Sequence, residues 1–109
     1  VNYPFLKDSP EYERAQKYLR GGSGVLCFGV KGGSAAGERV MNALKLAAIV
    51  VHVADTRTGV LHPASMTHRQ LSESELEAAG VSPDLIRVSV GLENIEDIKA
   101  DFDQALAMA

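Results

Sequence analysis

Residues 85–92, Leu-Ile-Arg-Val-Ser-Val-Gly-Leu, constrain the fold more than any other stretch of the chain. Their alternation puts Ile86, Val88, Val90 and Leu92 on one side of a strand and Arg87 and Ser89 on the other. One apolar face calls for a layer of helices above it. A guanidinium on the other face is costly to desolvate unless a carboxylate or phosphate accepts its hydrogen bonds in fork geometry.

The rest of the chain supplies that layer. Ser9-Pro10-Glu11 reads as a helix start, followed by Tyr12, Ala15, Tyr18 and Leu19 at helical spacing and a stop at Gly21-Gly22. Val25–Val30 reads as a strand with Leu26, Phe28 and Val30 on its heavier face. A second helix, capped by Ser34, carries the stripe Val40, Met41, Leu44, Ala47 and Ala48. The β-branched run Ile49–Val53 predicts a second strand, and Gly59–His62 a short third one ended by Pro63. Ser72 and Glu75 form a capping box for a short helix closing at Gly80. Asn94 caps a last helix whose Ile95, Ile98, Phe102, Ala105 and Leu106 share a side.

The expected order is therefore α-β-α-β-β-α-β-α, an α/β (α+β) two-layer sandwich with helices on one face of a small, largely antiparallel sheet. Val51 and Val53 are expected on the apolar face, with Val25, Cys27, His52, Arg87 and Ser89 on the more polar opposite face. That second face is left to meet a partner.

A chain of 109 residues fits one domain, 1–109, and 46% hydrophobic against 23% charged residues argues against disorder. A net charge of −3 advertises no nucleic-acid or anionic-lipid surface. The lone Cys27 excludes an internal disulfide, and the longest apolar stretch falls far short of the roughly 20 residues of a membrane span. No signal peptide opens the chain, so a cytoplasmic location is expected. It starts at Val1, and Val-Asn-Tyr-Pro-Phe reads as the interior of a longer polypeptide.

Several constellations have a chemical and a plain reading. Lys31-Gly32-Gly33-Ser34-Ala35-Ala36-Gly37 has the topology of a phosphate loop but lacks a nucleotide or dinucleotide fingerprint, which favours an ordinary strand-to-helix turn. His52, His62 and His68 show no metal-ligand spacing, and no metal site is expected. Cys27 reads as a buried structural thiol. Glu96, Asp97, Asp101 and Asp103 read as a solvated helix face. Arg87 reads either as a salt bridge to an acid on a neighbouring strand or as a fork for a carboxylate or phosphate.

His62-Pro63-Ala64-Ser65-Met66-Thr67-His68-Arg69-Gln70-Leu71-Ser72, together with Ala78–Glu93, closely resembles the C-terminal domain of the Cys/Met-metabolism PLP-dependent enzymes. Val1-Asn2-Tyr3-Pro4, Phe28–Gly33 and Asp55-Thr56-Arg57-Thr58 extend the resemblance over nearly the whole chain. Within that family the sequence is most similar to the O-acetylhomoserine sulfhydrylases.

The resemblance implies the small C-terminal domain of a fold-type I PLP-dependent transferase, following a large domain in the same chain. The implied reaction makes homocysteine from O-acetylhomoserine and sulfide by γ-replacement, with methionine γ-lyase or cystathionine γ-synthase as alternatives inside the family. Outside it, the alternative is a freestanding small ligand-binding or regulatory module. The implied cofactor is pyridoxal phosphate, held by the large domain, and the implied assembly a homotetramer. By the same resemblance Arg87 holds the substrate α-carboxylate, with Thr67 and His52 as further substrate-binding candidates. None of Lys7, Lys17, Lys31, Lys45 or Lys99 matches the family's Schiff-base lysine, so this segment alone is expected to be inactive. Three positions depart from the family pattern: Phe5 and Ala54 stand where glycine is usual, and His52 where serine or asparagine is usual. The Ala54 change is mild if the backbone there keeps a negative φ.

Overall fold

A computed structural model describes residues 1–109. Its elements run α1 (Tyr12–Tyr18), β1 (Val25–Gly29), α2 (Gly33–Ala43), β2 (Ala48–Ile49), β3 (Gly59–Leu61), α3 (Glu73–Ala78), β4 (Leu85–Ser89) and α4 (Ile95–Leu106). This is the order expected from the sequence. The four strands form one sheet in the order β1-β4-β3-β2, antiparallel except for the β2–β3 pair. β4 is thus an interior strand.

The register sorts the side chains as alternation predicts. Leu26 pairs with Val88, Phe28 with Ile86 and Val60 with Val88, so these residues share one face. Val40, Met41 and Ala36 of α2 and Ala105 of α4 bury that face, and Phe102 meets Phe28 edge-on with ring centroids 6.2 Å apart. Burial of this kind stabilises at about 25 cal/mol per Å² of apolar surface removed from water. By contrast, Ala15 is the one buried residue of α1, and α3 buries none.

Turn chemistry sets the helix ends. Gly32 and Gly33 adopt φ of 105° and 68°, a left-handed pair that turns β1 into α2. The plain-turn reading of this segment therefore has a backbone reason. Ser34 does not cap α2, because the cap is Gly32. Ser9 likewise stands before Glu11, the N-cap of α1, and its hydroxyl accepts from the Glu11 amide at 3.3 Å. The capping box at Ser72 forms, with Glu75 accepting from the Ser72 amide at 2.8 Å, and Asn94 Oδ1 caps α4 through the Glu96 amide at 2.9 Å.

The stretch after α2 and the face of α4 differ from expectation. The α2 stripe does not continue to Ala47 and Ala48. Asp101, reached from α4, is buried rather than solvated. Its carboxylate accepts from the amides of Lys45 at 2.8 Å, Leu46 at 2.9 Å and Ala47 at 2.9 Å, and from Gln104 at 3.1 Å. Those amides are withdrawn from any helical ladder, so α2 ends at Ala43 and the chain turns into β2.

The second strand is also shorter than Ile49–Val53. Val50 donates to the Val60 carbonyl at 3.1 Å, and no further backbone ladder bond follows before Thr56. Val51 and Val53 are therefore not on the apolar sheet face: each is 54% exposed, in a strap of residues 50–58 that leaves the sheet after β2. Leu92, beyond the end of β4, is exposed as well.

Candidate functional site

β4 and the residues just past its end place Arg87, Ser89 and Gly91 at successive positions of one parity, and the 50–58 strap runs against all three. Arg87 Nη2 donates to the carbonyls of Val51 at 2.8 Å and His52 at 3.3 Å. Ser89, almost fully buried, accepts from the Ala54 amide through Oγ at 3.2 Å. Gly91 lies so close that a Cβ there would collide with the Arg57–Thr58 peptide. Its amide donates to Thr58 Oγ1 at 3.0 Å, and Leu92 donates to the Thr56 carbonyl at 2.8 Å.

Glu93 closes the far end of the strap. Its carboxylate accepts from the Thr58 amide at 2.7 Å and the Thr58 hydroxyl at 2.8 Å. The Thr58 amide is the leading reason that the Glu93 carboxyl sits below its ordinary pKa. Asp55 holds the middle: its Oδ1 accepts from the Arg57 amide at 3.1 Å, which likewise lowers its pKa.

The salt-bridge reading of Arg87 is overturned. The ion pairs of the chain are Arg14–Glu11, His52–Asp55, Arg57–Asp55 and Lys99–Glu96, and none involves Arg87. Two backbone carbonyls orient Nη2 instead. Nε is buried without a hydrogen-bond partner, and Nη1 makes no hydrogen bond within the chain. The half-buried guanidinium thus keeps donor capacity for an incoming anion, and a carboxylate matches its fork. Cys27, across the β1–β4 ladder from Arg87, has its thiol pushed up by burial, with the Arg87 charge opposing.

The other site candidates are placed differently. His52 is not in a strand. Its ring is largely exposed, 3.8 Å from Asp55, and its contact with Arg87 is made by the backbone carbonyl. Thr67 is exposed on the 63–70 turn, where its hydroxyl pairs with His68 Nδ1 at 2.9 Å and bonds to neither Arg87 nor His52. Ala54 has φ of +58°, so the condition under which its replacement of glycine is mild is not met.

Sequence reasoning missed His62, which is buried with Nε2 2.7 Å from the Pro83 carbonyl and Nδ1 2.7 Å from Ser65 Oγ. A carbonyl only accepts, so Nε2 carries a proton. This pins the His-Pro-Ala-Ser turn to the segment leading into β4. The 62–65 spacing was the available signal.

The model of the family described as Cys/Met metabolism PLP-dependent enzyme matches residues 1–107. The chain belongs to that family. It is 54% identical over 108 residues to O-acetyl-L-homoserine sulfhydrylase 1 of Thermus thermophilus, covering 98% of this chain and 26% of the relative. It is 51% identical to homocysteine synthase of Schizosaccharomyces pombe, covering all of this chain and 26% of that protein. It is also 46% identical to an L-methionine gamma-lyase of Fusobacterium nucleatum, covering 97% of this chain and 27% of that protein.

Among solved structures, a Campylobacter jejuni protein described as an O-acetylhomoserine (thiol)-lyase matches with a TM-score of 0.90 and 37% identity, over 97% of this chain and 25% of that one. That structure was solved with a pyridoxyl-lysine monophosphate. The chain therefore spans about a quarter of the length of the relatives it matches. The family is pyridoxal-phosphate-dependent. In this segment all five lysines are exposed, and the one orphaned buried donor belongs to Arg87. Among these residues the Arg87 guanidinium is the group suited to an anion, and no lysine of this segment is buried.

Proposed function

We propose that the chain is the small C-terminal domain of an O-acetylhomoserine sulfhydrylase and that Arg87 receives the substrate α-carboxylate. The observation that carries the reading is the Arg87 guanidinium, fixed by two carbonyls, paired with no acid and left with an unsatisfied Nε. The parent reaction joins O-acetylhomoserine and sulfide to give homocysteine and acetate. Pyridoxal phosphate, when bound, supplies the electron sink for the γ-carbon chemistry. Within this segment, Arg87 fixes the amino acid by one end and the strap sets the direction of its fork. The cofactor-binding lysine belongs to a preceding large domain, and the complete protein is a cytoplasmic homotetramer.

The similarity to an L-methionine gamma-lyase supports a second reading, elimination instead of replacement. The two differ in what the complete protein makes. Sulfide-dependent homocysteine from O-acetylhomoserine is the expected product. Ammonia, a 2-oxo acid and methanethiol from methionine, without that replacement activity, would favour the lyase.

A further inference from the structure

The strap between the last β2 ladder bond, at Val50, and Thr56 is held to the sheet at few points, and two lie on β4. Arg87 takes the carbonyls of Val51 and His52, and Ser89 takes the amide of Ala54. The carbonyls that aim Arg87 thus belong to a peptide whose next tether is the Ser89 hydroxyl. Ala54 holds φ of +58°, a conformation that alanine keeps only when its surroundings impose it. The Ser89 contact and the Asp55 turn supply that constraint. Ser89 is itself buried, so its oxygen cannot be exchanged for water at no cost when it is removed.

We infer that Ser89 is a positioning residue for Arg87: by holding the Ala54 amide it sets the strap carbonyls that orient the guanidinium toward the substrate carboxylate. The inference rests on the carboxylate-binding reading of Arg87. It adds that the fork is aimed from a second residue of the same strand, two positions on and on the same face.

The test is a double-mutant cycle in the holoenzyme expressed from the complete reading frame. Ser89→Ala is expected to raise KM for the amino-acid substrate roughly tenfold with kcat nearly kept, because positioning of a ground-state contact is lost. Ser89→Thr, which keeps the oxygen, restores KM toward the parent value. In an Arg87→Ala background, Ser89→Ala costs nothing further, since no fork remains to be aimed.

The same loss from Ser89→Ala in both backgrounds would overturn the inference in favour of a purely structural hydroxyl. So would an unchanged KM in the single variant. Arg87→Ala with an unchanged kcat/KM would instead overturn the Arg87 reading, a separate outcome. The cycle run with Ser89→Cys, which nearly keeps the volume and weakens the acceptor, applies the same criteria if the alanine variant yields no folded holoenzyme.

Discussion

Ala54 is the residue where the chain departs from what its backbone prefers. A left-handed alanine costs about 1–2 kcal/mol relative to an unstrained conformation, and glycine removes that cost at the expense of some unfolded-state entropy. Ala54→Gly is therefore expected to stabilise the protein by up to about 1 kcal/mol, read as a rise in denaturant midpoint. A lower midpoint would mean that the strap imposes the angle without strain. Asp101 works in the opposite sense. Burial alone would raise its pKa, but the amides of Ala47, Lys45 and Leu46 outweigh that and hold the carboxyl below its usual range. Its contribution is present above the unfolded carboxyl value of about 4 and is lost as pH falls through the lower folded value. Asp101→Ala strands three amides and is expected to cost roughly 3 kcal/mol at neutral pH, with a weaker acid dependence of unfolding than the parent. Equal acid dependence in variant and parent would count against this role.

At the level of elements, the strand pattern was legible because alternation is a direct consequence of the pleat. Residues 85–89 and 25–29 fell into register with Leu26 against Val88 and Phe28 against Ile86, as their parity requires. What escaped was every feature made by a side chain reaching into distant backbone. Asp101 lies on the apolar stripe of α4, three residues past Ile98 and four before Ala105, a position that signals burial. Its partners lie more than fifty residues away, and no local propensity encodes that they will be amides. The β-branched run at 49–53 misled for a related reason. Propensity is intrinsic, but a strand needs a neighbour, and Arg87 occupies the carbonyls of Val51 and His52. The arginine itself was legible as the odd residue of its strand, whereas the residues that aim it were not.

For the whole molecule, one face of the sheet is closed by α2 and α4, while the parity opposite carries a guanidinium with unused donors. No helix is long and apolar enough to cross a membrane. A segment matching about a quarter of its relatives, with all its lysines exposed, is expected to show no lysine-linked cofactor band on its own. A pyridoxyl-lysine recovered from the 109-residue chain after borohydride reduction would contradict that expectation. The proposed role of this face depends on what Arg87 binds. In the complete holoenzyme, the cofactor absorbance should be titrated with the amino-acid substrate and with the matching amine that lacks the α-carboxylate, in the parent and in Arg87→Ala. The parent is predicted to prefer the carboxylated ligand by roughly 100-fold or more, and the variant to lose that preference while still binding the amine. An Arg87→Ala enzyme that kept the full preference would place the carboxylate elsewhere, with Arg87 not its receptor.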